Sequence, residues 1–393
     1  MFEAVTIRRQ DSMSTEKPID IGYLFECLLF YRTVYVVADA QILKQLVLTL
    51  GLEILEELID QKHLVVIFTE QHLAVSTTGN GKIHDLGMFT APDYSLQSEL
   101  RKHAIALTGK RGRGRRIAQR LEMSILNVRY DEAFHQGVKQ VLLDSSYVQQ
   151  AASAILHRSF PDFKSDNVQF HCEKSQLGFL VHSNIDFQKL NEHYHRRVPP
   201  THSSLSAAQI LSYVYNAESH LYFAARQLSE LAVDPLGSEI VSYRLLHLAR
   251  RSSKSEESKT AFAKLVFNDA KAIREAVNEG RLKPADLLKV IKASTPFKKW
   301  LSNKDVDSDL IAEYYKEIAK ETLIDRLPGK SIRWTTFTGV GIAAEAAFPG
   351  VIGPALSVGL TALDAFLFDK FFKGWKPNQF VEENLKPLVK GHD

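Results

Sequence analysis

Two pairs of residues have the spacing of metal ligands on a helix. Glu132 with His135, and Glu192 with His195, match the pattern Glu-x-x-His, in which a carboxylate and an imidazole three residues apart reach one ion from the same helix face. With 14 histidines among 393 residues, chance alone supplies about one such pair. We therefore expect surface helix side chains at these positions, no metal site and no cofactor.

The motifs of nucleotide-binding enzymes are incomplete in this chain. A Gly-Lys-Ser sequence at 329–331 resembles the end of a P-loop, but the glycine required five positions earlier is Ile324. A GxGxxA pattern that begins at Gly339 is followed too soon by a Pro-Gly pair for a dinucleotide-binding helix. The sequence identifies no catalytic residues, and a non-enzymatic role is favoured.

A basic segment carries the clearest binding signal. Eight positive residues and no Asp or Glu lie between Arg101 and Arg120, although the whole chain carries only +3. Glycines at 109, 112 and 114 alternate with the arginines. Glycine lets backbone amides approach a phosphate, and arginine adds a bidentate fork that does not read base sequence. The residues expected to bind phosphate or another polyanion are Lys110, Arg111, Arg113, Arg115, Arg116 and Arg120. A flexible, solvated loop between two helices is the alternative, and anionic lipid is a second polyanion that fits the pattern.

A small-residue hairpin is expected near the C-terminus. From Ala346 to Leu363 the chain has 18 consecutive uncharged residues, the lower edge of a membrane-spanning length. Small side chains recur every fourth residue on two arms joined at Pro349-Gly350, which predicts two helices packed closely on a common seam. Glu345 and Asp364 oppose insertion, so a hairpin buried in the protein core is the alternative to contact with a membrane or partner. The seam consists of Gly339, Ala343, Ala347, Gly353, Ser357, Thr361 and Ala365.

The elements around these candidates predict an α+β fold that is predominantly α-helical. β-Branched runs at Thr33–Val37 and Leu64–Phe68 predict strands, Asp39 is a good N-cap for the helix that follows, and Asn80-Gly81 marks a hairpin turn. Helices are expected over 96–160, a strand pair at 168–182, and helices alone beyond Pro200. The expected organisation is a flexible arm over 1–17, a mixed α/β domain over 18–200, an α-helical domain over 201–329, and the small-residue hairpin with its tail over 330–393.

Composition narrows the class and the compartment. Hydrophobic residues make up 45% and charged residues 24% of the chain, as in ordinary globular proteins. The two cysteines, Cys27 and Cys172, offer neither a disulfide framework nor a zinc-site spacing. Charged residues interrupt the first apolar run, so no secretory signal is expected. These features predict a cytoplasmic protein, with peripheral contact at the inner membrane if the hairpin meets lipid.

The C-terminal tail resembles the endings of bacterial proteins of uncharacterised function. The resemblance lies in the sequence Gly-Trp-Lys-Pro-Asn-Gln-Phe at 374–380, together with the small-residue hairpin before it. It implies a bacterial source and a stress or anti-phage role, and it brings no catalytic residues.

Two functions are expected from these observations. The first is a cytoplasmic, non-enzymatic effector or regulatory protein whose C-terminal hairpin associates with membrane, a partner or a second copy of the chain. The alternative is a nucleic-acid-associated protein, with a nuclease activity left open, that contacts phosphates through residues 101–120.

Overall fold

A computed structural model describes residues 4–9, 18–79, 81–90, 94–160, 167–196, 204–233 and 235–252, together with residues 285, 288 and 291. The elements in chain order are β1 (Ala4–Ile7), α1 (Ile21–Phe30), β2 (Thr33–Ala38), α2 (Ala40–Leu50), α3 (Leu52–Asp60), β3 (Leu64–Phe68), β4 (Gln71–Thr78), β5 (Ile83–Thr90), α4 (Leu96–Thr108), α5 (Arg111–Ser124), β6 (Leu126–Asn127), α6 (Glu132–Val141), α7 (Ser145–Ser159), β7 (Phe170–Ser175), β8 (Gly178–Ser183), α8 (Phe187–Tyr194), α9 (Ala207–Gln227), β9 (Glu230–Ala232) and α10 (Pro235–Ser252). Mixed α and β structure is confirmed within these ranges.

A five-stranded parallel sheet forms the centre of the fold. Its strand order is β6-β3-β2-β1-β9, with Val5 opposite Val34 and Val34 opposite Leu64. Val36 packs into the core beneath α1–α5, while its neighbour Val37 packs into the core formed with α6, α7 and α9. Burial on both faces explains the continuous apolar runs of the predicted strands at β2 and β3.

The first strand corrects the expectation of a flexible arm over residues 1–17 for residues 4–7 alone, because residues 1–3 and 10–17 lie outside the described residues. Ala4–Ile7 is β1, which lies between β2 and β9, and Val5 and Ile7 are each 1% exposed. Four residues are too few to show an alternating pattern, and the pairing that orders them comes from distant parts of the chain. Long-range pairing therefore orders a short strand that is followed, over residues 8–17, by largely polar sequence.

Local capping places the helices that follow β2. Asp39 caps α2 as predicted, because its carboxylate accepts hydrogen bonds from the backbone amides of Gln41 and Ile42. Gly51, with φ +76°, ends the helix. Asp39 is thereby held directly at the carboxyl end of β2.

A four-stranded antiparallel sheet covers part of the second face. Its order is β4-β5-β8-β7, and Thr78 pairs with Ile83 across the predicted hairpin turn. Gly81 has φ +84°, while Asn80 lies outside the described residues. The strand pair expected at 168–182 is confirmed as β7 and β8.

The chain beyond Pro200 does not form helices alone. α9 ends at Gln227, Leu228 takes a left-handed conformation, and Glu230–Ala232 pairs in parallel with β1. α9 also packs in the same core as α7. Residues 204–233 therefore complete the parallel sheet, contrary to the expectation of a separate domain from residue 201, because β9 pairs with β1, the first strand described.

Two predictions fall largely or wholly outside these ranges. Of the helical domain expected over 201–329, the structure describes residues 204–233, 235–252 and three single positions. The hairpin and tail expected over 330–393 lie wholly outside the described residues. Within the described ranges, no helix combines the length and apolar content that crossing a bilayer requires.

Candidate functional site

The predicted basic segment is a helical hairpin, not a flexible loop. Residues 101–108 belong to α4 and residues 111–120 to α5, with Gly109 and Lys110 between the helices. Gly109 adopts φ +62° and its amide donates to the Ile105 carbonyl, the usual left-handed end of a helix. The loop alternative is therefore wrong, and the basic side chains are carried on fixed helical positions.

Gly114 has a packing role rather than the expected role toward phosphate. A Cβ atom at this position would lie 2.7 Å from the Ile105 Cα and 2.9 Å from the Ala104 carbonyl oxygen. The absence of a side chain therefore lets α4 and α5 approach closely. At Gly112, by contrast, an added Cβ would meet nothing within 4 Å. Of the glycines at 109, 112 and 114, Gly112 is therefore the one that lies inside a helix and has room for a side chain.

Two of the six predicted phosphate-binding residues already have acidic partners on α3. The Arg120 guanidinium donates to both carboxylate oxygens of Glu56, over 2.5 and 2.9 Å. This hydrogen bond, together with the charge of Glu56, raises the pKa of Arg120. Arg113 lies 3.5 Å from Glu53. These two arginines fasten α5 to α3, which reduces the charge they can offer to a ligand.

The other four residues form a surface that we call the α5 basic face. They are all exposed, and within the described ranges none of them has an ion-pair partner: Lys110, Arg111, Arg115 and Arg116. Arg111 and Arg115 lie one turn apart, which places them side by side along the helix. Of the six predicted residues, four are therefore exposed without an acidic partner in the described ranges, and two form ion pairs with α3.

Two residues of the α5 basic face, Lys110 and Arg111, lie at the N-terminus of α5. Lys110 is the N-cap residue, its side chain caps no amide, and the first turn contains no acidic residue. The first amides of a helix lack intrahelical acceptors and carry partial positive charge, so positive side chains there are unfavourable by a few tenths of a kcal/mol each. A bound anion would remove this repulsion and accept hydrogen bonds from the same amides.

The Glu-x-x-His candidates have other roles. His135 lies in the core, where Nδ1 is 2.9 Å from the Tyr215 hydroxyl and burial lowers its pKa. His195 Nε2 lies 3.0 Å from the Ser204 hydroxyl, and Glu192 accepts from Gln188. In the part of the chain that the structure describes, no three His, Cys, Asp or Glu side chains are grouped to hold a metal.

The predicted seam residues of the C-terminal hairpin are not placed by the structure. All seven, from Gly339 to Ala365, lie outside the described residues.

Sequence reasoning missed a group of side chains at the edge of the parallel sheet. Arg8 follows β1, Asp39 follows β2 and Gln71 follows β3 closely, and all three line one pocket. A usable signal was present, because the carboxyl ends of neighbouring parallel strands meet at one edge. The polar composition of residues 8–17 obscures this signal, because it gives no indication that Arg8 and Arg9 follow a strand of the sheet.

Comparison with protein-family models, with curated proteins and with solved structures found no match for this chain.

Proposed function

We propose that this protein binds nucleic acid through the α5 basic face, contacting phosphates without reading the base sequence. The observation that carries the proposal is the division of the basic segment: two arginines have acidic partners on α3, while four neighbouring cations are exposed without an acidic partner in the described ranges. Two of these cations, Lys110 and Arg111, lie at the N-terminus of α5, where the helix dipole opposes positive charge and favours a bound anion.

The chemistry of the face favours a duplex backbone. Guanidinium groups and helix N-terminal amides both suit phosphate oxygens. Residues 96–124 contain no Phe, Tyr or Trp, so the hairpin lacks the aromatic platforms on which single-stranded bases stack. Contacts of this kind position a protein on DNA but carry no sequence information.

The expected affinity follows from the number of contacts. Four phosphate contacts predict a plot of log K against log salt with a slope of about −3.5 on duplex DNA. Binding should be sequence-independent, with a Kd on the order of 10⁻⁴ to 10⁻⁶ M at physiological salt.

The test is fluorescence anisotropy of a labelled duplex against the full chain over a series of salt concentrations. The double variant Arg115→Gln/Arg116→Gln should bind at least tenfold more weakly at low salt and flatten the slope by about 1.8. The matched control, Arg113→Gln/Arg120→Gln, removes the same charge from the same helix but targets the paired arginines. It should change the slope by less than about 0.9, the value of one contact.

Three results would overturn the proposal. They are the absence of salt-dependent binding, equal effects of the two double variants, and capture by phosphatidylserine vesicles without binding to the duplex. The last result would replace nucleic acid by an anionic membrane as the partner.

The expected membrane or partner contact of the C-terminal hairpin stays a separate prediction. The bacterial source and the anti-phage role implied by the tail also stay predictions. They concern residues outside the described ranges, and the α5 basic face does not depend on them.

A further inference from the structure

A pocket lies at the carboxyl edge of the parallel sheet. β1, β2 and β3 are adjacent and parallel, so the residues that follow them emerge at the same edge. The pocket is lined by residues near the carboxyl ends of these three strands and by residues of α9, and ligands of open α/β sheets bind at this carboxyl edge. The pocket has a volume of about 140 Å³, and its lining includes Arg8, Arg9, Asp39, Gln71, Asn216 and His220.

Arg9 is fixed at this edge by its neighbours but retains donor capacity. Its Nη2 donates to Asp39 Oδ2 over 2.6 Å and to Gln41 Oε1 over 2.9 Å, and its Nε is 3.1 Å from the same carboxylate oxygen. These contacts leave Nη1 without a partner among the described residues. The guanidinium is therefore held in place while one end of its fork remains available.

Arg8, which also lines the pocket, is held by different neighbours. Its Nη2 donates to the Tyr130 hydroxyl over 2.7 Å, and its guanidinium carbon lies 5.8 Å from the centre of the Phe223 ring. The Tyr130 hydroxyl in turn lies 2.6 Å from the Ser219 hydroxyl on α9. Aromatic and hydroxyl contacts fix the side chain without neutralising its charge.

The pocket has a net positive lining. Among the described residues, Asp39 is the one acid that lines it, and both of its oxygens are occupied: Oδ1 caps α2 and Oδ2 accepts from Arg9. Burial and the charge of Arg8 lower the pKa of His220 well below its ordinary value, so its imidazole is neutral near pH 7. With two arginines and one carboxylate in the described lining, the site carries a net positive charge.

We infer that this pocket binds the oxyanion group of a small ligand, a carboxylate or a phosphate, between Arg8 and Arg9. Arg8 and Arg9 both line the pocket, and guanidinium groups form short, charge-assisted hydrogen bonds with carboxylate and phosphate oxygens. Asn216 and His220 lie one turn apart on α9 and supply neutral donors and acceptors to the same space. A cavity of about 150 Å³ holds a molecule of benzene size, so the ligand is a small acid or the acidic end of a larger molecule.

The experiment measures the thermal stability of the full chain with increasing sodium phosphate and, separately, sodium malonate. Sodium chloride at equal ionic strength is the reference. A saturable rise in Tm above the chloride curve is expected with at least one of the two anions, and the more effective anion identifies the oxyanion. Isothermal titration calorimetry then gives its Kd.

Two substitutions at one ion pair should change that Kd in opposite directions. Arg9→Gln should weaken binding at least tenfold, because it removes a donor and leaves the Asp39 charge facing the ligand. Asp39→Asn should strengthen binding severalfold, because asparagine still caps α2 while the competing carboxylate is lost. Arg129→Gln, at an exposed arginine outside the pocket, is the control and should leave the Kd unchanged.

A further variant tests whether the small anion binds at this pocket or at the α5 basic face. The Arg115→Gln/Arg116→Gln variant should keep the Kd for the small anion, whatever becomes of its binding to DNA. The inference is overturned if neither anion raises Tm above the chloride reference. It is also overturned if Arg9→Gln and Asp39→Asn shift the Kd in the same direction, or if the α5 variant abolishes the effect.

Discussion

Arg244 and Glu218 form an ion pair that is shielded from solvent. Arg244 Nε lies 2.9 and 3.0 Å from the two carboxylate oxygens, and the side chains are 1% and 0% exposed. The Tyr147 hydroxyl donates to the same carboxylate over 3.2 Å. The pair therefore joins α10 to α9, and Tyr147 brings in α7.

Breaking this pair should destabilise the fold far more than breaking an exposed one. Arg244→Met leaves a buried carboxylate without its main partner, and we expect a loss of about 3 to 5 kcal/mol in the free energy of unfolding. Arg158→Met, which breaks the more exposed pair with Glu239, should cost no more than about 1 kcal/mol. Urea unfolding followed by circular dichroism measures both. Similar losses for the two variants would show that burial does not control the energy of the pair.

The two glycines of α5 should respond to alanine with opposite signs. Alanine favours a helix over glycine by about 1 kcal/mol, and Gly112 has room for the added methyl group. At Gly114 that methyl group would meet the α4 backbone, and we expect a loss of about 1 to 3 kcal/mol from overpacking. Thermal unfolding should therefore show a higher Tm for Gly112→Ala and a lower Tm for Gly114→Ala. A rise in both would mean that α4 and α5 do not approach as closely as described.

β1 provides a direct test of the N-terminal segment. Ile7 is buried in the sheet, so Ile7→Ala should cost about 2 to 5 kcal/mol. Leu48→Ala, at a side chain 49% exposed, should change stability by about 0.5 kcal/mol or less. Denaturant midpoints compare the two variants. If Ile7→Ala and Leu48→Ala cause equally small losses in the free energy of unfolding, residues 4–7 do not pack in the sheet.

Stability should fall as the pH drops from about 7 to 5. Burial lowers the pKa of His84, His135 and His220 in the folded protein, whereas an unfolded histidine titrates near 6.5. Below that value the unfolded state binds more protons than the folded state, so the free energy of unfolding decreases with falling pH. His220→Gln should reduce this slope between pH 5 and 7, as measured by urea unfolding at each pH. An unchanged slope would exclude His220 as a contributor.

Elements with a complete local signal were predictable from the sequence. β2 and β3 are β-branched runs, and Asp39 is an N-cap placed between a strand and an apolar helix. β1 has four residues and β9 has three, and the two strands pair with each other although they lie far apart in the sequence. No local pattern predicts such strands, because their stability comes from pairing that only the folded topology provides.

The candidate sites show the same division. The basic charge of residues 110–120 was evident from composition, but the pairing of Arg113 and Arg120 with α3 depends on how two helices pack. The role of Gly114 likewise depends on the distance between two backbones. Arg8 and Arg9 looked like part of a polar terminus, and only the placement of β1 inside the sheet brings them to the pocket.

The position of β1 also sets an order of events during synthesis. Thr6 and Ser229, whose hydroxyl oxygens lie 2.6 Å apart, are separated by 223 residues. At translation rates of ~5 to 20 residues per second, β9 leaves the ribosome on the order of ten seconds or more after β1. For that interval the first strand has no neighbour on one side, and its free backbone groups are open to pairing with other chains. During synthesis, the edge of β1 that later pairs with β9 is therefore a site at which the nascent protein can aggregate.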